Sequence, residues 1–330
     1  MTDPRDHGGG LDAACARYGG CRADWIDLST GINPVPYPVG PIDTDAWTAL
    51  PDQGAMDRLL AAARRFWNVP DGAGILAAPG ASSLIARLPQ VLGGPRSCRV
   101  QTQTYNEWGA AFRHHGWHVA QDDPTRSLEI WVHPNNPDGA LAPTYPLDRD
   151  DPPQADLRVI YDESFCDPTP KDSHVHLTAA KPVLVVKSFG KFWGLAGLRL
   201  GFLIGAPKVL APMAEALGPW PVGGPALEIG ARALADDAWA AQTRTRLRAD
   251  AARLDAMVPR HRGDVLGTSL FRLYGLRSQA VRDALFAHLA QHRILVRVFP
   301  YSQTWMRIGL PAPDQWDRVE AALTSFGERQ

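Results

Sequence analysis

Two lysines stand four residues apart in the segment VVKSFGKFWGLAGLRLGF (185–202), Lys187 and Lys191. Arg199 follows Lys191 by eight residues, and the segment contains too many glycines for an ordinary helix or strand. A lysine amine is a nucleophile that neighbouring cationic groups activate by lowering its pKa. The segment therefore indicates amine chemistry, and the spacing alone leaves open which of the two lysines reacts.

Three other short motifs carry polar groups that could serve such a lysine. APGASSLIARL (78–88) is a glycine-containing turn that leads into a helix, where backbone N–H groups converge on an anion. PNNPDG (134–139) supplies amides, and Asp162 in YDESF supplies a carboxylate. Each motif alone has an ordinary interpretation as a helix cap or a β-turn. Together they make an anion site, an amide, an acid, a lysine and an arginine.

Short β-like runs and helical stretches must position these groups. The runs alternate with helices from residue 99 onward, which predicts an α/β fold with a mostly parallel sheet covered by helices on both faces. Ligands of such a sheet bind at the carboxyl ends of its strands, where PNNPDG, Asp162 and the lysine segment all lie. The predicted strands are RVQT (99–102), WHVA (117–120), LEIWVH (128–133), LRVIYD (157–162) and VLVVKS (183–188).

Composition and predicted secondary structure divide the chain into three parts. Residues 1–45 are rich in Gly, Pro and Asp and predict an extended arm, because NPVPYPVGP (33–41) cannot be regular structure. Residues 46–210 form the predicted large domain, and residues 211–330 a smaller α+β domain with the strands SLFRLY, ILVRV and WMRIGL. The hinge is expected near residues 205–225, where Pro and Gly cluster.

Composition narrows the class of protein. The 330 residues are 45% hydrophobic and 21% charged, as in an ordinary globular protein, and the net charge is −1. That charge argues against nucleic-acid and membrane partners and favours a small molecule. No G-x-G-x-x-G follows a strand, and GKFWG lacks the Ser/Thr of a phosphate-binding loop. Four scattered cysteines and the absence of an apolar leader predict a reduced, cytoplasmic protein.

The combined motifs resemble those of fold type I pyridoxal-phosphate enzymes of the aminotransferase class I/II family. In SFGKFWGLAGLRLGF, a [ST]-x-x-K is followed eight residues later by the Arg of G-L-R, as in that family. The resemblance implies pyridoxal 5′-phosphate as cofactor, Lys191 as the lysine that bonds to it and Asp162 as the partner of its ring nitrogen. It also implies the cofactor-binding residues Ala81, Ser82, Tyr105, Asn136, Ser188 and Arg199. Tyr105 has a core aromatic as its alternative interpretation.

A closer resemblance is to the threonine-phosphate decarboxylases of cobalamin biosynthesis, relatives of the histidinol-phosphate aminotransferases. It rests on HGGG (7–10), DLSTGINPVPYP (27–38), DESF, GPWPV (218–222), ILVR (294–297) and WMRIGLP (305–311). By this resemblance His7, Gly31 and Asn33 lie near a substrate phosphate, and Arg297 and Arg307 belong to the substrate site, with Arg307 facing the carboxylate. The implied substrate is a phosphorylated amino acid, and the implied assembly is a homodimer.

Several residues depart from the family pattern or invite another interpretation. Leu50 stands where the family has a Tyr, Ser83 replaces an acid and Asp138 replaces a Thr, which puts cofactor affinity in question. The histidines of HHGWH (114–118) and HVH (174–176) lack ligand partners at metal spacing, so no metal is expected. The arginines of TRTRLR (243–248) are interpreted as a solvated helix face.

Three hypotheses for function follow. The first is decarboxylation of L-threonine O-3-phosphate to 1-amino-2-propanol phosphate, which Phe165 favours because many transaminases have Tyr there. The second is a transaminase that acts on a phosphorylated or other small amino acid. The third is a catalytically silent scaffold subunit, which the intact Lys191, Asp162 and Asn136 disfavour.

Overall fold

The computed structural model describes residues 7–121, 123, 125–145, 157–258 and 263–328. Over these residues the helices are α1 (Leu11–Tyr18), α2 (Thr44–Thr48), α3 (Gln53–Phe66), α4 (Ala81–Val91), α5 (Glu107–His114), α6 (Pro207–Leu217), α7 (Gly224–Ala235), α8 (Asp237–Met257), α9 (Gln279–Gln291) and α10 (Trp316–Glu328). The strands are β1 (Ile26–Asp27), β2 (Gly74–Ala78), β3 (Ser97–Val100), β4 (His118–Val119), β5 (Leu128–Val132), β6 (Arg158–Asp162), β7 (Val183–Ser188), β8 (Gly201–Gly205), β9 (Leu266–Thr268), β10 (Phe271–Gly275), β11 (Ile294–Leu295), β12 (Arg297–Val298) and β13 (Trp305–Gly309).

The chain forms two compact units. The sheet unit comprises Tyr37–Asn136 and Ala140–Gln242, and the terminal unit comprises Met1–Pro36, Pro137–Gly139 and Thr243–Gln330. These bounds differ from the predicted divisions at residues 45 and 210, for two physical reasons. Strand β1 of the predicted arm pairs with β11, which ties the arm to the carboxyl-terminal region. The expected hinge near 205–225 holds helix α6, and α7 packs closely on α3 through Gly230 and Leu59.

The sheet unit is built on a seven-stranded sheet in the order β2-β8-β7-β6-β5-β3-β4. Strand β8 is antiparallel to both its neighbours and the other pairs are parallel, so the predicted mostly parallel sheet is confirmed. Strands β2 and β8 were missed, because GILAA and GFLIG begin and, in β8, also end with glycine and look like turns in the sequence.

One face of this sheet packs against α4 and α5. Side chains alternate between the two faces of a strand, so Ile130 and Val132 of β5, Ile160 of β6 and Val186 of β7 join one buried cluster. The cluster also contains Trp108 and Phe112 of α5 and Leu84, Ile85 and Leu88 of α4. Asp162, at the end of β6, has the same strand parity and projects to this face.

The opposite face holds a buried ion pair between Lys187 of β7 and Glu163, which follows β6. Lys187 Nζ lies 2.6 Å from Glu163 Oε2 and 3.5 Å from Asp167 Oδ1, and both partners are buried. Burial opposes the charge of Lys187, but Glu163 and Asp167 raise its pKa above the ordinary value. Burial likewise opposes ionisation of Glu163, but Lys187, His174 and Ser173 lower its pKa. Lys187 is thus held as a structural cation.

The terminal unit is α+β, as predicted. Its four-stranded antiparallel sheet has the order β12-β13-β10-β9, and β1 and β11 form a separate parallel pair. Ser278 begins α9 by accepting a hydrogen bond from the N–H of Val281, which is a helix-capping contact. The predicted strands SLFRLY and WMRIGL correspond to β10 and β13, and the ILVRV stretch holds β11 and β12.

Replacing Lys187 should test this buried pair. Lys187→Ala leaves Glu163 and Asp167 buried without their cation, so the free energy of unfolding should fall by about 3–5 kcal/mol. Lys181→Ala is the matched control, because Lys181 is exposed. It should change the free energy of unfolding by less than about 0.5 kcal/mol. Urea unfolding at neutral pH measures both.

The pH dependence gives a second check. Lys187 lowers the pKa of Glu163. The stabilisation that this ion pair contributes is therefore present above the ordinary glutamate pKa, and it is lost as the pH falls through the pKa of Glu163 in the folded protein. The difference between Lys187→Ala and the unaltered chain should therefore shrink in acid. Equal urea midpoints at neutral pH would contradict the structural role.

Candidate active site

A cavity of about 200 Å³ lies in the sheet unit at the carboxyl ends of its central strands. It brings together every cofactor-binding residue that the sequence predicted, and four more side chains complete its wall. The lining residues are Ala81, Ser82, Ile85, Tyr105, Val132, Asn136, Asp162, Ser164, Phe165, Ser188, Lys191 and Arg199. The cavity is therefore the candidate active site.

The sheet explains why residues so far apart in sequence meet. Strand β5 runs into Asn136, β6 ends at Asp162 and β7 ends at Ser188, and these parallel strands deliver their ends to one edge. Strand β2 is parallel to them, because it is antiparallel to β8, and it leads directly into the start of α4.

The start of α4 forms the anion-binding end of the cavity. First-turn N–H groups of a helix have no partner within the helix, and here they belong to Ala81 and Ser82. Arg199 donates from Nη2 to Ser82 Oγ at 2.9 Å and from Nη1 to the Ala196 carbonyl at 3.0 Å. The Ser82 hydroxyl, the free helix N–H groups and the Arg199 guanidinium are together suited to bind a phosphate.

Two glycines let this anion site close up. Gly80 has a φ of 84°, and a Cβ atom there would lie 2.5 Å from Arg199 Nη2. A Cβ atom at Gly201 would lie 2.3 Å from the Ala81 nitrogen, so β8 can cross the start of α4 only without a side chain. Ser83, which replaces the family's acid, donates its hydroxyl to the Gly80 carbonyl at 2.8 Å and so reinforces the turn.

Asp162 lies at the other end of the cavity and is almost fully buried. Its Oδ2 accepts from Trp108 Nε1 at 2.7 Å, and its Oδ1 accepts from the Ser164 N–H at 3.0 Å and from the Ser164 hydroxyl. Burial raises the pKa of Asp162, while Ser164, Trp108 and the charge of Lys191 act to lower it. These donors favour the carboxylate over the carboxylic acid, which would suit a cationic partner in the cavity.

The structure separates the two lysines. Lys191 lines the cavity, with Nζ 5.4 Å from the centroid of the Phe165 ring. Lys187 projects from the opposite face of the sheet into its pair with Glu163. Lys191 therefore fits the cofactor-bonding position, and Lys187 does not reach it.

Tyr105 and Asn136 fit the remaining cofactor positions. Tyr105 lines the cavity and also packs against the sheet's hydrophobic cluster, so its position is compatible with either of its two interpretations. Asn136 lines the cavity directly after β5. Phosphate donors, a buried acid, a lysine and an amide are a donor set that fits pyridoxal 5′-phosphate.

The predicted substrate-binding residues lie in the terminal unit, on three segments that touch one another. Arg307 is buried on β13 and donates from Nη2 to the Ser29 carbonyl at 2.6 Å. Arg297 is its direct neighbour across the β12–β13 pair. The HGGG segment reaches Ser29 too, because the Gly9 N–H donates to Ser29 Oγ at 2.7 Å.

The HGGG segment (7–10) and the DLSTGIN segment (27–33) lie close together in this unit for a steric reason. A Cβ atom at Gly8 would lie 2.5 Å from the Ser29 carbonyl oxygen, so the backbone after His7 passes directly over the 27–33 segment. His7 itself is exposed, whereas Gly31 and Asn33 are buried. The structure thus brings Gly8 and Gly9 of the HGGG segment onto Ser29 and Thr30, directly before the 31–33 turn.

The solvated interpretation of TRTRLR is wrong for Arg246. Its Nη2 donates to Asn33 Oδ1 at 2.5 Å and its Nη1 to Asp250 Oδ2 at 2.8 Å. Asn33 Oδ1 also accepts the Val35 N–H at 3.0 Å. Two donors on Oδ1 fix the orientation of the Asn33 amide. Helical spacing alone could not show that this arginine turns toward the amino-terminal segment.

The remaining departures, Leu50 and Asp138, are not among the residues that line the cavity. Leu50 is 69% exposed on the surface of the sheet unit. The Asp138 carbonyl accepts the Gly267 N–H at 2.8 Å, which ties residues 137–139 to the terminal unit.

The histidine clusters give no sign of a metal site. His174 stacks on Tyr161 at 3.8 Å between centroids, beside the Lys187–Glu163 pair. Within the described residues there is no group of three or more His, Cys, Asp or Glu side chains placed to hold a metal ion. No helix found among them has the length and apolar character needed to span a membrane.

Sequence analysis missed Trp108 and Ser164. Trp108 has the spacing of a core residue on α5, and nothing in the sequence marks its indole N–H as a partner of Asp162. Ser164 follows Asp162 by two residues, which is the spacing of a side chain-to-backbone turn and could have been noticed.

Comparison with known proteins agrees with this geometry. A family model, "Aminotransferase class I and II", matches residues 53–324. Threonine-phosphate decarboxylases are similar over nearly the full length: one from Sinorhizobium sp is 39% identical, covering 95% of each chain, and one from Pseudomonas aeruginosa is 38% identical, covering 98% of each. A solved histidinol-phosphate aminotransferase from Sinorhizobium meliloti, in complex with pyridoxal-5′-phosphate, shares the fold with a TM-score of 0.80 at 17% identity, covering 97% of this chain and 95% of that one.

The fold and the cavity define a fold type I pyridoxal-phosphate enzyme, with the cofactor that the sequence predicted. The chain belongs to the class I and II aminotransferase family, as its lysine segment indicated.

Borohydride reduction should identify the reactive lysine. The purified holoenzyme should be yellow, and reduction should fix the cofactor on the peptide that contains Lys191, because Lys191 alone of the two lysines lines the cavity. Mass spectrometry of the digest locates the modification. Lys191→Ala should lose turnover by many orders of magnitude. A modified Lys187 would contradict the assignment.

Proposed function

We propose that this enzyme decarboxylates L-threonine O-3-phosphate to (R)-1-amino-2-propanol O-2-phosphate, a reaction of cobalamin biosynthesis. The observation that carries the proposal is the likeness to two threonine-phosphate decarboxylases over 95% and 98% of the chain. That likeness includes the amino-terminal segment in which Gly8 and Gly9 pack on Ser29. The proposal therefore covers both the cofactor cavity and the segment assigned to the substrate.

The residues of the cavity have separable roles in this proposal. When bound, pyridoxal 5′-phosphate supplies a ring that accepts the electron pair released at the substrate Cα. Asp162 would hold a proton on the ring nitrogen, and Asn136 would donate to the phenolic oxygen. Ser82, Ser188, Arg199 and the first turn of α4 would bind the cofactor phosphate. Lys191 would bond to the cofactor, and its amine is the group in the cavity that would return a proton to Cα once the carboxylate has left as CO₂.

The terminal unit supplies the proposed contacts to the substrate. Asn33 accepts hydrogen bonds at its Oδ1 from the Val35 N–H and from Arg246, which fixes the orientation of its amide in the 31–33 turn. With His7 and the backbone of residues 31–33, Asn33 would bind the substrate phosphate. Arg307 and Arg297, neighbours on β13 and β12, would bind the carboxylate.

An aminotransferase is the second candidate, because both reactions use the same cofactor residues. The observation that separates them is Phe165, whose ring faces Lys191 at 5.4 Å and has no hydroxyl to offer the cofactor's phenolic oxygen. Many transaminases place a Tyr there, so Phe165 favours decarboxylation. The third candidate, a silent scaffold, is disfavoured because Lys191, Asp162 and Asn136 all line the cavity.

The proposed enzyme is a cytoplasmic homodimer. The exposed large apolar side chains of the sheet unit include Trp47 at 67%, Leu50 at 69% and Trp220 at 57%. Leu50 and Trp220 border neighbouring cavities that share Pro51, Asp52 and Leu227, so they belong to one surface. Exposed apolar surface of this kind is typical of an interface, and a second copy of the chain is its proposed occupant.

The products distinguish decarboxylation from transamination. Holoenzyme supplied with L-threonine O-3-phosphate should release CO₂ and aminopropanol phosphate in equal amounts without 2-oxoglutarate. Unphosphorylated threonine should show kcat/KM lower by roughly a hundredfold or more, because charge-assisted hydrogen bonds to the phosphate are each worth about 1.5–3 kcal/mol. Mass spectrometry identifies the products, and their rate of formation at varied substrate concentration gives kcat/KM for each substrate. A keto acid that forms only with an amino acceptor would establish the aminotransferase instead.

Sedimentation should show the proposed dimer and its surface. The unaltered protein should sediment at twice its 36.0 kDa chain mass. Leu50→Glu should shift it toward the monomer, because a charge would be buried at the interface. Leu141→Glu is the matched control, since Leu141 is another leucine of the sheet unit with 58% exposure, outside the Trp47–Leu50–Trp220 surface. An active monomer in the unaltered protein would refute the dimer.

A further inference from the structure

Trp108 is a fully buried side chain that the proposed reaction has not used. It lies in the second position of α5 and packs in the hydrophobic cluster beneath the sheet. Its indole N–H points to Asp162 Oδ2, with 2.7 Å between the heavy atoms. Trp108 therefore connects the hydrophobic cluster to Asp162, the candidate partner of the ring nitrogen, and is placed to fix the orientation of the Asp162 carboxylate.

The hydrogen bonds of Asp162 show what Trp108 controls. An ionised carboxylate has about four acceptor positions, two on each oxygen. Oδ1 receives both the N–H and the hydroxyl of Ser164, so its positions are filled. Oδ2 receives Trp108 and keeps one position, and no described residue donates to it. Because Asp162 lines the cavity, that remaining position on Oδ2 is the one available to a cofactor.

The chemistry of indole suits this task. Its N–H is a donor only and neither gains nor loses a proton in the physiological pH range. The oxygen that faces it must therefore act as an acceptor, which favours the carboxylate over the carboxylic acid. Burial raises the pKa of Asp162, and the hydrogen bonds of Ser164 and Trp108 oppose that rise, as does the charge of Lys191.

We propose that Trp108 is the positioning residue of the cofactor site: its indole holds Asp162 so that Oδ2 can accept a hydrogen bond from the protonated ring nitrogen of the cofactor. This rests on the role of Asp162 in the proposed function. It adds the atom that makes the contact and the side chain that orients it. Trp108 acts through Asp162 and touches neither substrate nor cofactor in the proposal.

Trp108→Phe tests the proposal, with Trp117→Phe as its matched control. Trp117 is 3% exposed, belongs to the same cluster, and donates its indole N–H to the Pro89 carbonyl at 2.9 Å. Each substitution thus removes one buried indole hydrogen bond. In the full-length protein, the dissociation constant of pyridoxal 5′-phosphate should rise roughly tenfold in Trp108→Phe, about 1.4 kcal/mol. It should change by less than about twofold in Trp117→Phe.

The pH dependence of stability separates positioning from packing. A carboxyl whose pKa is raised in the folded state costs stability once the pH exceeds its unfolded pKa, and losing the Trp108 donor increases that cost. In cofactor-free protein the deficit in urea midpoint of Trp108→Phe should therefore grow as the pH rises above the ordinary carboxyl range. The deficit of Trp117→Phe should stay constant. In an Asp162→Asn background the pH-dependent part for Trp108→Phe should disappear.

A spectroscopic readout covers the case in which Trp108→Phe does not fold. In full-length protein with ¹⁵N-labelled tryptophan, Asp162→Asn should shift one indole N–H resonance strongly and leave that of Trp117 in place. No shift, or a pH-independent deficit in Trp108→Phe equal to the control, would overturn the proposal. None of these readouts involves substrate, so they stand or fall separately from the decarboxylase reaction.

Discussion

The buried carboxylate of Asp162 is the constraint on which the sheet unit's site depends. A charge taken out of water must be paired or hydrogen-bonded, and burial alone would favour the neutral acid. Trp108, Ser164 and Lys191 supply the compensation, each from a different segment of the chain. The start of α5, the loop after β6 and the loop after β7 must therefore all be in place before Asp162 can serve a cofactor.

The other face of the same sheet carries a second set of buried charges, the Lys187–Glu163 ion pair. Consecutive residues of a strand point to opposite faces, so Asp162 and Glu163 serve different sites although they are adjacent. Glu163 binds Lys187, and the pair is enclosed with Asp167 and His174. The alternation of side chains along β7 thus points Lys187 to the face with the buried ion pair, whereas Lys191 lies in the following loop and lines the cavity. The two lysines differ in environment because β7 ends at Ser188, so Lys187 lies in the strand and Lys191 in the loop after it.

The terminal unit places its candidate anion-binding groups by close backbone packing. Gly8 against Ser29 and Gly309 against the Leu28 and Thr30 carbonyls bring three sequence-distant segments together, and only glycine leaves room for such contacts. Arg307 then bonds to Ser29, and Arg246 bonds to Asn33. Gly8 and Gly309 are therefore as much a part of this candidate site as the side chains that would bind an anion.

The sequence alone determined the fold class, the family and the cofactor, and it predicted a set of residues from Ala81 to Arg199 that the structure brings to one cavity. Those features depend on local spacing and on hydrophobic alternation, which a linear sequence displays directly. The tertiary structure decided what depends on through-space contacts: the bond from Trp108 to Asp162, the turn of Arg246 toward Asn33, and the enclosure of Lys187. It also decided the division into units, because β1 pairs with β11, some 270 residues away in the chain, and no local pattern encodes such a pairing.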